Sequence, residues 1–207
     1  MGKAYANRKK ESERPKNDFY ETPYACTEVL CEEMLTGMNK GSIILDPCCG
    51  NKRIGDVLRK YGFHNIIERD IMGGYDFLAE MIKKKFYDIV IMNPPFKLFD
   101  EFVNQAKYIS NYTIVIGKLD YFCCHNRNVN GLWKNLKYVL PFDRKIAYDR
   151  PFREDGKFEC GMLNTGWFIF DNTYDGLPMI KILDVQNYVL KRKGLSTNVK
   201  LVLHSVD

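Results

Sequence analysis

The chain of 207 residues has no apolar run near the roughly 18 residues needed to cross a bilayer, and no apolar stretch follows its basic start. Both absences lead us to expect a cytoplasmic protein without a membrane partner. Histidine is scarce, with only His64, His125 and His204. The seven cysteines (Cys26, Cys31, Cys48, Cys49, Cys123, Cys124 and Cys160) contain no CxxC pair, so neither a disulfide framework nor a zinc knuckle is indicated. His125 beside Cys123 and Cys124 is the one conceivable metal cluster, and adjacent cysteines rarely reach the same tetrahedral ion, so we expect no metal. Also missing are the GxGxxG fingerprint of dinucleotide sites and the GK[ST] of phosphate loops. No internal repeat or low-complexity tract occurs.

What remains is a globular composition, 45% hydrophobic and 28% charged, in a length that suits one substantial α/β domain. We read residues 1–16 as a basic flexible arm and 17–207 as a single domain. The net charge of +5 is unevenly spread. Residues 1–16 carry six basic and two acidic side chains; residues 118–153 carry eight basic and three acidic. These segments hold +4 and +5, so the rest of the chain is net negative. Such asymmetry suits a surface that tracks a nucleic-acid backbone, and equally a solvated surface with a loose tail.

Along the chain, helical spacing of Cys26, Val29, Leu30 and Met34 follows a Thr22-Pro23 start signal. A strand is expected at 42–46, then a helix with Ile54, Val57, Leu58 and Tyr61 on its apolar face, closed by Gly62. Further strands are expected at 64–70, 88–92 and 113–116, with helices at 78–85 and 98–109. Later elements are less regular: a helix through Leu132, Trp133 and Leu136, strands at 144–148 and 166–170 forming a closing antiparallel pair, a helix at 185–191 and a strand at 199–203. Strands alternating with helices predict a doubly wound, mostly parallel sheet, whose ligands bind beyond the carboxyl ends of the strands. That rule selects Asp46 to Gly50, Asp70, Asn93 to Phe96 and Gly117 to Asp120 as one rim. Lys118 and Asp120 read as a surface pair beside that rim, and Trp133 and Trp167 as core.

Two stretches of the rim carry chemistry. In "LDPCCG" a strand ends at Asp46 and a helix follows Gly50, which puts backbone N–H groups within reach of a ligand. Asp70 stands 20 positions after Gly50, the offset at which a carboxylate meets ribose hydroxyls in a nucleoside-binding βαβ unit. An adenosine ligand without a pyrophosphate fits this pattern. In "IVIMNPPF" a buried strand runs into Asn93, Pro94, Pro95 and an exposed Phe96. The prolines lack N–H groups, so the stretch is rich in acceptors and held extended, suited to a planar amine with two N–H groups to present. Phe96 supplies a face for the base that bears it. Cys48 and Cys49 have no general base beside them and read as small loop residues.

Together these motifs resemble the S-adenosylmethionine-dependent N6-adenine DNA methyltransferases, in particular the small phage and prophage type. "NPPF" at Asn93 to Phe96 is similar to that family's motif IV, [DNS]PP[YFW], and "LDPCCG" to its DPxxG loop. "NDFYETP" at 17–23 resembles the DFYxTP segment that closes over the cofactor. The resemblance covers residues 17–171, ending in "GWFIFD". It implies a class I methyltransferase Rossmann-like fold with a C-terminal antiparallel strand, S-adenosyl-L-methionine as cofactor, and DNA as partner. By the same resemblance Asn93, Pro94, Pro95 and Phe96 are catalytic. The cofactor is then held by Tyr20, Thr22, Pro23, Asp46, Pro47, Cys48, Gly50, Asp70, Ile71, Asp76, Phe77 and Asn93, with Asp76 and Phe77 facing its adenine. Two positions depart from the pattern: Lys52 stands where many relatives have a second glycine, and Glu68 precedes Asp70 on the same strand face.

The leading expectation is methyl transfer to the N6 amine of adenine in DNA. RNA adenine or a protein glutamine is an alternative substrate, since an NPP[YF] motif serves planar amides too. A catalytically idle nucleic-acid-binding subunit with the same fold is a third possibility. The oligomeric state is open.

Overall fold

A computed structural model describes residues 20–81, 85–148, 160–186 and 188. The arm at 1–16 and the expected strand at 199–203 lie outside the described residues, and of the helix expected at 185–191 only Val185, Gln186 and Tyr188 are described, as helical. Helix α1 (Tyr24–Leu30) runs on into one π-helical turn, Cys31–Leu35. Then follow β1 (Ile44–Asp46), α2 (Arg53–Lys60), β2 (Ile66–Glu68), β3 (Tyr87–Met92), α3 (Phe99–Ile109) and β4 (Ser110–Lys118). The later elements are α4 (His125–Val129), β5 (Leu136–Pro141), β6 (Thr165–Asp171) and β7 (Met179–Ile180).

The strands form one sheet in the order β2-β1-β3-β4-β6-β5-β7. β1, β2, β3 and β4 are parallel, β6 is antiparallel to both β4 and β5, and β7 is parallel to β5. The expected architecture, a mostly parallel doubly wound sheet with a late antiparallel strand, is the one observed. Chain order reverses direction between β1 and β3, which opens a crevice at their carboxyl ends.

Continuous apolar strands bury both faces of this sheet. Ile89, Ile91, Ile114, Ile116, Trp167 and Ile169 pack on one side with α1 and α2; Val90, Met92, Val115, Phe168 and Phe170 pack on the other with α3. Trp167 is fully buried and satisfies its indole N–H on the Cys26 carbonyl at 2.9 Å, which locks α1 to the antiparallel strand. Between α3 and β4 there is no loop. Ser110 Oγ donates to the Ala106 carbonyl at 2.8 Å and so closes the helix at the residue where the strand begins.

Three expected elements differ. Of the helix expected at 78–85, Leu78 and Ala79 belong to a turn and 80–81 are not helical, with Leu78 and Met81 exposed, while 82–84 lie outside the described residues. Residues 131–135 are turns rather than a helix: Gly131 (φ +69°) and Asn135 (φ +65°) both take left-handed backbone, which ends a helix. The antiparallel partner of β6 is therefore β5 at Leu136–Pro141, and 144–148 contributes only single bridges from Ile146 to Cys160 and Leu163.

Candidate active site

The carboxyl ends of β1, β2 and β3 open onto a cleft of ≈ 790 Å³, within the roughly 300–1,000 Å³ of small-molecule sites. Of the residues expected to act, the cleft brings together Tyr20, Thr22, Cys48, Gly50, Asp70, Ile71, Asn93 and Pro95. Asn93 follows the last residue of β3, so the rigid sheet sets its position. Its amide nitrogen donates to the Tyr20 carbonyl at 2.9 Å and to Thr22 Oγ1 at 3.1 Å. Both partners accept, so the amide has one favourable orientation, with Oδ1 left as an acceptor for a ligand. The Pro95 carbonyl caps the next turn through the Leu98 N–H at 2.9 Å, and the Phe96 carbonyl accepts from the Tyr121 hydroxyl at 3.0 Å. The stretch is thus fixed on both sides of the prolines.

The first loop is tied to the second strand by Asp70. Its carboxylate accepts the Gly50 N–H and the Met72 N–H, both at 2.9 Å, and Gly50 adopts φ +48°, a left-handed conformation that a side chain would strain. Lys52 takes φ +62° as the residue before α2, a left-handed backbone geometry natural to glycine. Glu68 lines the cleft too, but its carboxylate is held by Arg59 of α2 at 2.5 Å and lies over Gly55. A Cβ at Gly55 would overlap Glu68 Oε1, so that helix turn is shaped around this carboxylate. Asp70, two residues beyond the end of β2, and not Glu68, is the acid that faces the cleft without a side-chain cation in contact among the described residues.

Apolar surface completes the far wall. Ile71 and Met72 are 55% and 79% exposed although both line the cleft, which leaves a patch suited to a planar ring. On the near side Glu21 bonds Asn51 and pairs with Arg53, so residues 20–22 form a strap from the first loop to Asn93. Burial pushes the Cys48 thiol well up and the Cys49 thiol to about 11, so both are protonated at neutral pH.

Several expected contacts lie elsewhere. Asp46 is wholly buried beneath the cleft floor; burial raises its carboxyl to about 8, with Oδ1 on the Cys48 N–H at 3.3 Å and Oδ2 without a partner. Pro47 and Pro94 are buried behind the lining. Pro23 starts α1, its carbonyl taking the Cys26 N–H at 3.0 Å. Asp76 caps its own turn through the Leu78 N–H at 3.0 Å, and Phe77 is buried with its ring 5.2 Å from Phe102, so neither lines the cleft. Phe96 is buried rather than exposed, under Tyr20 and Tyr148, because the strap folds over it. The sequence reading missed Glu21, Asn51, Arg53, Arg69 and Met72 as lining residues. The polar side chains at 51 and 53, just after the Gly50 turn, were the available signal.

No family model matches the chain, and a search of curated proteins finds no match. Solved structures do match. One, assigned as an RNA methyltransferase from Pyrococcus horikoshii, aligns over 77% of this chain and 90% of its own with a TM-score of 0.57 and 19% identity. Another, assigned as a class I S-adenosylmethionine-dependent methyltransferase from Listeria monocytogenes, aligns over 82% and 72% with a TM-score of 0.55 and 13% identity. The fold is that of the Rossmann-like class I methyltransferases. The methyltransferase subunit of a type I restriction-modification system from Streptococcus thermophilus shares it, at a TM-score of 0.54 and 10% identity over 84% of this chain and 52% of that one.

Proposed function

We propose that the protein binds S-adenosylmethionine in this cleft and transfers its methyl group to the N6 amine of an adenine in DNA. The observation that carries the reading is the fixed amide of Asn93, whose nitrogen is held by Tyr20 and Thr22 while its oxygen remains to accept. A planar amine presenting two N–H groups matches that oxygen and the neighbouring Pro94 carbonyl.

The cleft fits the cofactor. Asp70 stands where ribose hydroxyls would donate to it, and Ile71 and Met72 would cover the adenine ring. Thr22, Cys48 and the Gly50 backbone surround the space left for the methionine part. Beneath them lies Asp46, whose Oδ2 is buried and without a hydrogen-bond partner. When bound, the cofactor supplies an electrophilic methyl on a sulfonium sulfur. Asn93 and Pro94 hold the amine so that its lone pair is localised on nitrogen and aimed at that carbon. Held there, the cofactor would supply the methyl group and leave as an uncharged thioether, while the amine held by Asn93 and Pro94 would shed one proton. Such a step needs no strong base, in keeping with two protonated thiols at the site. The basic segments 1–16 and 118–153 would carry the nucleic-acid backbone.

Labelled S-adenosylmethionine offered with adenine-containing duplex DNA, with RNA and with protein extract tests this. Label is expected in DNA, and Asn93→Ala should reduce it at least about 100-fold. Label only in RNA or only in protein overturns the substrate; no cofactor binding by calorimetry overturns the reading as a whole.

A further inference from the structure

S-adenosylmethionine ends in an amino acid, whose ammonium and carboxylate need partners of both signs. Such partners stand at the strap end of the cleft. Glu21, between Tyr20 and Thr22 in the cleft wall, accepts the Asn51 amide on Oε1 and pairs through Oε2 with Arg53 Nη2. Arg53 is the first residue of α2, and its guanidinium also lies over the Tyr24 ring, 5.3 Å from the centroid. The Glu21 and Arg53 side chains are 22% and 30% exposed, so the pair is held in place yet open to the cleft it lines.

Neither charge is used up by the other. A guanidinium carries five N–H donors in a fixed fork, and Glu21 meets it at Nη2, so donors remain for a second carboxylate. Each Glu21 oxygen keeps a lone pair beyond the one given to Asn51 or Arg53, which suits an ammonium. The dipole of α2 adds to the pull on an anion beside Arg53. Among the described residues Lys52 and Arg69 are the other cations lining the cleft. Lys52 leans to Glu68 at 4.0 Å, and Arg69 adjoins Asp70, at the end assigned to the ribose. Of the acids, Glu68 is bound by Arg59 and Asp70 by backbone N–H groups. That leaves Glu21 and Arg53 beside the Gly50 turn, where the methionine part would lie.

We propose that the Glu21–Arg53 pair reads the amino-acid end of the cofactor. Arg53 donates to its carboxylate, Glu21 accepts from its ammonium, and Asn51 keeps Glu21 in place. The inference rests on the cofactor reading above and adds to it the means of selecting the whole cofactor over shorter adenosine thioethers. The resemblance supplies neither residue: Glu21 fills the position that DFYxTP leaves open, and Arg53 lies beyond the DPxxG loop.

Calorimetry on the full chain with three ligands tests the pair. S-adenosylhomocysteine has both charges, its decarboxylated form has the ammonium alone, and 5′-methylthioadenosine has neither. Wild type should bind S-adenosylhomocysteine at least about tenfold more tightly than 5′-methylthioadenosine. Arg53→Gln should weaken S-adenosylhomocysteine about tenfold and leave the other two ligands level. Arg53→Lys, which keeps the charge without the fork, should restore part of that loss. Glu21→Gln should weaken S-adenosylhomocysteine and the decarboxylated form, but not 5′-methylthioadenosine, whose unchanged binding reports that the cleft is folded. An equal loss for all three ligands in Arg53→Gln overturns the inference and reduces the pair to a brace of the strap. Unchanged S-adenosylhomocysteine affinity in that variant overturns it too, as does wild type that binds 5′-methylthioadenosine equally well. Wild type that binds none of the three overturns the cofactor reading itself, and the pair's role with it.

Discussion

Asn93 uses its amide nitrogen on the strap, which leaves Oδ1 as the end of the side chain that can accept. Thr22→Val removes one of the two acceptors while keeping the shape, and should lower methyl transfer roughly three- to tenfold, read as kcat in a label-transfer assay. Asp46 makes a different prediction. Its carboxyl is raised to about 8 from an ordinary 3.8, chiefly by burial. The folded state therefore holds the proton more tightly than the unfolded chain does. The stability this confers is complete below pH 4, is lost as the unfolded chain ionises between pH 4 and 8, and above pH 8 the native fold bears a buried charge. Asp46→Asn should melt progressively higher than wild type as pH rises from 5 to 8, with a constant gap above 8, measured by calorimetric melting. At this scale the sequence pointed to Asn93 at the exit of a buried strand, and the structure has it directly after β3 on the cleft. The orientation of its amide was hidden, since its partners lie 73 and 71 residues away.

At the level of elements, the brace between α2 and β2 separates two carboxylates that strand alternation alone could not tell apart. Glu68 is held by Arg59 in the space over Gly55, whereas Asp70 meets only backbone N–H groups at the cleft. Asp70→Asn should weaken cofactor binding about tenfold, the scale of one charge-assisted hydrogen bond, and Glu68→Gln should instead lower the urea midpoint with a smaller effect on binding. The strap offers a kinetic counterpart. Glu21→Gln loosens its hold on Arg53 and should speed cofactor release in stopped-flow chase experiments. The parallel strands were legible as continuous apolar runs. β5 was not, because "LKYVLP" mixes polar and apolar positions, and the apolar spacing of Leu132, Trp133 and Leu136 imitates a helix that Asn135 and Gly131 forbid. Phe77 was misplaced for a related reason: its motif names a neighbour of the cleft, and packing against Phe102 takes its ring into the core.

For the molecule as a whole, a sheet whose chain order reverses between β1 and β3 puts three strand ends at one crevice, and Asn93, Gly50, Asp70, Ile71 and Met72 lie there with Tyr20 and Thr22 of the strap. The fold and the place of the site could be read from the alternation of strands and helices. The covering of Phe96 could not, because it joins residues 20, 96, 118 and 148, which no local pattern relates. The central claim is that this crevice delivers a methyl group to the exocyclic nitrogen of adenine. It is tested most directly by incubating the protein with S-adenosylmethionine and mixed-sequence duplex DNA, digesting to nucleosides and identifying the product by mass spectrometry. Wild type should yield N6-methyl-2′-deoxyadenosine, and Asn93→Ala none above background. A methylated nucleoside of another kind, or no methylated nucleoside from a protein shown to bind the cofactor, would contradict it.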